Sequence, residues 1–368
     1  MTERSYFDHN ATTPLDAEVL TAMTECLAAD FGNASSIHTF GQEAKRRLEQ
    51  ARAQIANAAG VSPAEVVFTS GGTEADNMAI FGSVPRHVIS STIEHPAVLH
   101  CCRELERRGA AVTYVPVGSS GVVDPDDVRR ALRPDTDLIS VMTANNELGT
   151  IQPVDELLDL GVPVHTDAVQ ALGKTALPRA SLLAFSSHKI YGPKGVGALV
   201  VRKGTKLAKI AFGGRHERDR RPGTENVPAI VGFGVACTRL ETDHSAMAAL
   251  RDRLEQGILD RVPNVRVNAA GSPRVANTTN IRFDGIEGEA LLIALDLRGF
   301  AVSSGAACSS GAVEPSHVLT AIGLSKEQAR SSLRFSLGRS NTVQQVDALI
   351  DAVATCATRL RKLSPTYA

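Results

Sequence analysis

Lys189 stands in the polar stretch Ser186-Ser187-His188-Lys189-Ile190-Tyr191-Gly192-Pro193, with apolar runs at 182–185 before it and 196–201 after it. The pattern reads strand, exposed tip, strand. Tips of buried strands are where α/β enzymes present side chains to ligands, because binding crevices lie outside the strand ends. A lysine there can act as an amine nucleophile if desolvation or nearby positive charge keeps it neutral. Taken alone, such a lysine is ordinarily a surface residue, like Lys194, Lys203 and Lys206.

Four further polar clusters follow apolar runs in the same way. Ser70-Gly71-Gly72-Thr73-Glu74 opens a helical pattern, and a glycine-rich turn into a helix N-terminus offers free N–H groups and a positive dipole end to a phosphate, with Thr73 also able to cap the helix. His95 follows Ser91-Thr92-Ile93-Glu94 and can stack on a flat ring or shuttle protons near neutral pH. Asn145-Asn146-Glu147 is a third cluster, after the run ending at Met142. In His165-Thr166-Asp167-Ala168, alternation puts His165 and Asp167 on one face, and a strand-end carboxylate can hold a pyridine nitrogen protonated. Gln170, three residues on, can reach the same ring. A capped helix start, or a structural role for each polar residue, explains any one cluster alone. Their agreement at the ends of one sheet points to pyridoxal phosphate rather than NAD or ATP. Gly173-Lys174-Thr175 is no P-loop, since Ala168 stands where the first glycine belongs.

Cys308 lies among nine Ser, Gly, Ala and Cys residues, 303–311, which cannot pack a core and form a surface loop. A cysteine exposed there is a liability unless its thiolate is used. Cys26, Cys101, Cys102, Cys237 and Cys356 fall in helical patterns and read as core residues. Arg334 alternates with apolar neighbours in Ser332-Leu333-Arg334-Phe335-Ser336 and can clamp a carboxylate with two hydrogen bonds, or serve a structural ion pair.

The elements that position these residues alternate. Strands are expected at 66–68, 87–91, 112–115, 137–142, 162–166, 182–185 and 196–201, with helices near 73–81, 97–108, 125–132 and 154–160. This rhythm implies an α/β fold with a large, seven-stranded, mostly parallel sheet covered by helices. A long helix is expected from about 228 to 259, followed by a smaller α+β unit with strands near 265–267, 278–283, 300–303 and 332–336 and helices near 288–297, 314–321 and 343–361. Residues 6–14 read as an extended arm. The expected division is a large domain at 14–240 and a small one made of 1–13 and 241–368.

With 368 residues, 43% hydrophobic and 21% charged, the chain has the composition of an ordinary soluble protein. A net charge of −1 offers no footprint for nucleic acid or an anionic membrane. The polar first ten residues and the lack of a long apolar stretch argue against a signal peptide or membrane span. Six cysteines without a CxxC pair suggest free thiols in a reducing cytoplasm, and no zinc site.

The chain resembles the cysteine desulfurases of the class V, fold-type I pyridoxal-phosphate enzymes. The likeness rests on ordered motifs from Tyr6 to Arg339, among them YFDHNATTPLD, FTSGGTEADN, NNELGTIQP, HTDAVQALGK, SSHKIYGPKGVGALVVR, RPGTENVPAIVGFG, VSSGAACSSG and LRFSLGR. The resemblance implies that Lys189 carries the cofactor as a Schiff base, Asp167 pairs the pyridine nitrogen, Gln170 contacts the ring hydroxyl and His95 stacks on the ring. It implies phosphate contacts from Gly72, Thr73, Ser186 and His188, with Thr224 reaching the neighbouring subunit of a homodimer. Asn145 and Arg334 would hold the substrate carboxylate, and Cys308 would take sulfur from L-cysteine as a persulfide while alanine leaves. The loop around Cys308 is similar to the long loop of the housekeeping and nitrogen-fixation group, which implies a sulfur acceptor such as an iron–sulfur scaffold or a tRNA-thiolation enzyme. An arginine-rich run departs from the usual pattern, with Asp219 and Arg220 where small or apolar residues are common. A class V aminotransferase that leaves Cys308 unused, a selenocysteine lyase and a non-catalytic relative are the alternatives.

Overall fold

The computed structural model describes residues 4–304 and 314–363. In chain order the elements begin with β1 (Ser5–Tyr6), α1 (Ala17–Ala29), α2 (Thr39–Ala59), β2 (Val66–Thr69), α3 (Gly72–Gly82), β3 (His87–Ser91), α4 (Pro96–Arg107), β4 (Ala111–Val115) and α5 (Pro125–Ala131). They continue with β5 (Thr136–Ser140), α6 (Val154–Leu157), β6 (Val164–Asp167), β7 (Leu182–Ser186), β8 (Gly197–Val201), α7 (Val227–Thr238) and α8 (Ser245–Arg261). The last are β9 (Val265–Val267), β10 (Thr278–Phe283), α9 (Gly288–Asp296), β11 (Phe300–Ala301), α10 (His317–Ala321), α11 (Lys326–Arg330), β12 (Ser332–Ser336) and α12 (Val343–Leu363).

Seven strands form one sheet in the order β2-β8-β7-β6-β5-β3-β4. Six run parallel, and only β8 runs against its neighbours β2 and β7. Helices cover both faces, so β3, β7 and β8 are buried at every position, which is why their sequences read as unbroken apolar or small-residue runs. The expected α/β fold with a seven-stranded, mostly parallel sheet is what the chain adopts. A separate three-stranded antiparallel sheet, β12-β10-β9, packs on α8, α9 and α12 around its own core, which includes Phe283, Phe335, Leu254 and Val353.

Two expectations need correction. The single helix anticipated over 228–259 is two helices, α7 and α8, parted at 239–244. The break is pinned by Arg239, which pairs with Asp16 at 2.9 Å and with Glu18 at 2.6 Å on the first turn of α1. α7 is buried against α1 and α2, whereas α8 belongs to the second core. Helices α1 and α2 precede the first expected element. Yet α2 buries Ala44, Leu48, Ala51, Ile55 and Ala59, a helical period visible in the sequence.

The N-terminal arm crosses between the units. β1 pairs with β11 in parallel, Asp8 bridges to Ser336 of β12, and Thr13 N–H donates to the His188 carbonyl at 2.9 Å beside Lys189.

Candidate active site

The parallel strands β2, β3, β5, β6 and β7 all end on one side of the sheet, so the polar clusters that follow them converge. Of the twelve residues singled out from the sequence, Gly72, Thr73, His95, Asp167, Gln170, Ser186, His188, Lys189 and Arg334 line a single cavity of about 490 Å³. Asn10, Asp76 and Asn146 line it as well.

Lys189 sits in a short helical turn directly after β7. Its amine donates to the backbone carbonyls of Asn10 at 2.6 Å and Ala11 at 2.7 Å, so the arm holds it. Burial first, and then the Arg334 guanidinium, push its pKa down to about 8, while Asp167 and Asp8 oppose the shift. A substantial fraction of neutral amine at neutral to mildly alkaline pH follows, which a nucleophilic lysine needs.

At the end of β6, Asp167 Oδ1 accepts from the Val169 N–H at 2.9 Å, and the residue lines the cavity. Burial raises its pKa, and the nearby His95 and Lys189 pull the other way. A carboxylate so placed calls for a cationic partner from the cavity. His95 caps α4, with Nδ1 accepting from Ala97 N–H at 3.1 Å. That bond fixes a neutral imidazole with its proton on Nε2, and burial depresses its pKa further. Beneath them, Asp76 of α3 is almost fully buried beside His165, with Nε2 to Oδ1 at 3.3 Å. Burial together with the charges of Asp167 and Glu94 raises the Asp76 pKa strongly, and burial drives that of His165 down to about 3.

The start of α3 differs from the expectation in one detail. Gly71, at φ 158°, occupies the cap position with no side-chain cap, and Thr73 lies within the first turn. Gly72 is required by close packing, since a Cβ there would meet Val169 Cγ2 at 2.6 Å. The first-turn amides have no intrahelical acceptors and face the cavity with Ser186.

Arg334 is buried, donating through Nη2 to Asp8 at 2.6 Å and through Nη1 to the Asn146 carbonyl at 3.0 Å. Its Nε has no partner among the described residues. Asn145 does not line the cavity. Its Oδ1 accepts from Glu147 and Leu148 N–H, both at 2.9 Å, and its Nδ2 donates to the Ile93 carbonyl at 3.0 Å, so the amide is consumed in shaping the loop. Asn146 takes the cavity position instead. Sequence alone marks the pair but not which member turns inward.

Thr224 is exposed and away from the cavity of its own chain. Cys308 lies outside the described residues. The arginine-rich run is anchored inward by Glu217, whose buried carboxylate accepts from Arg52 Nη1 and Nη2 at 2.8 and 2.7 Å and from Phe68 N–H at 2.8 Å. Arg221 pairs with Glu74 of α3 at 2.8 Å, and Glu74 also accepts from Ser70 N–H at 2.6 Å, which ties the run to the glycine-rich turn. Asn10 and Lys174 are the residues that sequence reasoning passed over. Asn10 was visible only as part of an extended arm, and Lys174 only as part of a discarded nucleotide motif.

Residues 5–349 match the family model described as Aminotransferase class-V. The chain is 46% identical to the cysteine desulfurase IscS of Methanosarcina thermophila, over 98% of this chain and 93% of that protein. It is 44% identical to the cysteine desulfurase IscS of Dictyoglomus turgidum, over 99% and 97%. Among solved structures, a NifS-like protein superposes with a TM-score of 0.90 at 35% identity, covering 97% of this chain and 100% of the other. SspA in complex with cysteine superposes with a TM-score of 0.82 at 36% identity, covering 90% and 98%. The match spans nearly the whole chain in sequence and in fold, and the chain belongs to the cysteine desulfurases of the class-V aminotransferase family.

Proposed function

We propose that this chain is a pyridoxal-phosphate-dependent cysteine desulfurase that converts L-cysteine to L-alanine and leaves the sulfur on Cys308 as a persulfide. The observation that carries the reading is the convergence of Lys189, Asp167, His95 and Arg334 on one cavity.

The residues present fit the cofactor. Asp167 offers a buried carboxylate in the cavity wall to a pyridinium, the first-turn amides of α3 with Ser186 and His188 offer a phosphate cradle, and Lys189 offers a depressed-pKa amine to the carbonyl. Bound there, pyridoxal phosphate supplies an electron sink for the α-carbon of an amino acid. His95, held neutral by its cap bond, would lie against the ring and move a proton through Nε2. Arg334, with an unused Nε, would take the substrate carboxylate, and Asn146, whose backbone carbonyl accepts from Arg334, lines the cavity beside it. Lys189, once displaced, would carry the α-proton. Cys308, as a thiolate, would form an S–S bond to the substrate sulfur as the Cβ–S bond breaks, and protonation of the resulting carbon yields alanine.

The five described cysteines are buried and unpaired. Burial raises the thiol of each, to about 11 for Cys26 and about 12 for Cys101 and Cys102, which leaves Cys308 as the thiol suited to the step. A thiol that must be regenerated suits the reducing cytoplasm. A homodimer in which Thr224 reaches the partner's phosphate site is supported by the exposure of Thr224 and by exposed Phe31, Ile37, Phe40 and Phe212. The large domain would comprise 14–240 and the small one 1–13 with 241–368; the core around Phe283 and Phe335 supports the division, while Val318, Leu319, Ile322 and Ala329 of the small domain pack into the core of the large one. A sulfur acceptor such as an iron–sulfur scaffold completes the cycle.

The test is Cys308→Ser. It abolishes alanine and sulfide formation from cysteine while the visible absorbance of the lysine-bound cofactor remains. Undiminished sulfide release overturns the assignment.

A further inference from the structure

Lys174 lies just outside the cavity, four residues past Gln170, and no step above uses it. Its amine donates to Gln170 Oε1 at 2.6 Å and to Asn10 Oδ1 at 3.2 Å. Gln170 Nε2 in turn donates to the Asn10 backbone carbonyl at 2.9 Å, the same oxygen that accepts from Lys189. Asn277 Nδ2 also donates to Asn10 Oδ1 at 3.1 Å, and Asn10 Nδ2 donates to Thr278 Oγ1 at 2.8 Å. One asparagine of the arm therefore joins both lysines, the glutamine and the small unit.

The geometry points to Lys174 as a positioning residue that fixes the amide of Gln170 in one orientation, with Oε1 turned to Lys174 and the free Nε2 hydrogen turned to the cavity. This deepens the proposed function and rests on its reading of Gln170 as a contact of the cofactor ring. An amide can rotate to exchange its oxygen and nitrogen, and nothing in its shape prefers either. A protonated lysine, in contrast, has no acceptor, so Oε1 must face it, and the Asn10 carbonyl, which can only accept, draws Nε2 to the other side. Gln170 is thereby made a donor toward the ring hydroxyl rather than an acceptor. Burial pushes the Lys174 pKa down to about 7, with Lys189 and Arg334 adding repulsion, and the ammonium form is the one that admits only Oε1. A small void of about 50 Å³ lined by Lys174, Lys189, Tyr191 and Arg339 leaves room beside it.

The test reconstitutes the apoprotein with pyridoxal phosphate and reads the cofactor dissociation constant and the position of the visible band. Lys174→Met, which keeps length but removes the donors, is expected to weaken cofactor binding roughly tenfold, the order of one well-made hydrogen bond, and to shift the band in the same direction as Gln170→Ala. The double variant is expected to go no further than Gln170→Ala alone. Lys174→Arg, which restores donors and has the void to occupy, is expected to recover both readouts. If Gln170→Ala changes both readouts and Lys174→Met changes neither, if the two effects simply add, or if Lys174→Arg behaves as Lys174→Met, the positioning role is overturned. If Gln170→Ala itself changes nothing, the ring-contact reading of Gln170 fails first, and the inference falls with it.

Discussion

The amine of Lys189 lies 2.6 Å from the backbone carbonyl of Asn10, 179 residues away in sequence. Lys189, at the end of a strand of the large sheet, is thus held by an arm whose strand β1 is paired into the small unit. Two neutral carbonyls stabilise an ammonium, yet burial and Arg334 outweigh them and bring the pKa to about 8.

This predicts how loading depends on pH. Only the neutral amine attacks a carbonyl, so the rate at which the apoprotein takes up pyridoxal phosphate covalently should rise as pH passes through about 8 and level off above it. An unperturbed lysine would keep rising to about 10.4. Absorbance stopped-flow across that range distinguishes the two, and Lys189→Ala should show no covalent band at any pH.

The two adjacent asparagines should separate cleanly. Asn145→Ala removes an amide that serves Ile93, Glu147 and Leu148 in a fully buried site, and should cost about 2–4 kcal/mol of stability. Asn146→Ala should leave the denaturation midpoint nearly unchanged and raise KM for cysteine. Urea titration beside steady-state kinetics checks both.

Arg334→Lys keeps a positive charge near Lys189 but loses the planar fork. KM for cysteine should rise by about 10–100-fold, the range expected for losing a charge-assisted, two-point contact. A KM within twofold of wild type would remove Arg334 from carboxylate binding.

The arginine-rich run yields a stability prediction. Glu217, Arg218 and Asp219 all hold positive φ, at 45°, 54° and 66°, a strained conformation for residues with side chains. The buried carboxylate of Glu217 holds the turn against that strain. Glu217→Ala leaves the buried Arg52 with only the more exposed Glu49 as its ion partner and should destabilise the protein by about 3 kcal/mol in thermal or urea unfolding. Because Arg221 ties the same run to Glu74, cofactor retention should fall as well.

Much of this was legible from residue order. The strand-end clusters around Gly72, His95, Asp167 and Lys189 showed themselves because each follows an apolar run, and a parallel sheet brings such ends together. The parts that escaped are set by rotations and long-range contacts that no local pattern encodes. Asn145 and Asn146 are chemically identical neighbours, and only the turn from Met142 to Glu147 decides which one faces the cavity. Asn10 became a hub because the arm folds back over Lys189, and Lys174 because it lies one helical turn from Gln170 in a segment that was read for a phosphate motif. The break between α7 and α8 was hidden because both flanks keep a helical period and Arg239 is fixed by partners more than 200 residues earlier.

The most direct test of the central claim is to incubate the holoprotein with L-cysteine without reductant, quantify alanine, and analyse the tryptic peptide carrying Cys308 by mass spectrometry. The account predicts alanine in amounts matching the active sites in the first turnover, and a single added sulfur on Cys308. Alanine formed with no sulfur on that peptide, or pyruvate formed in its place, would contradict it.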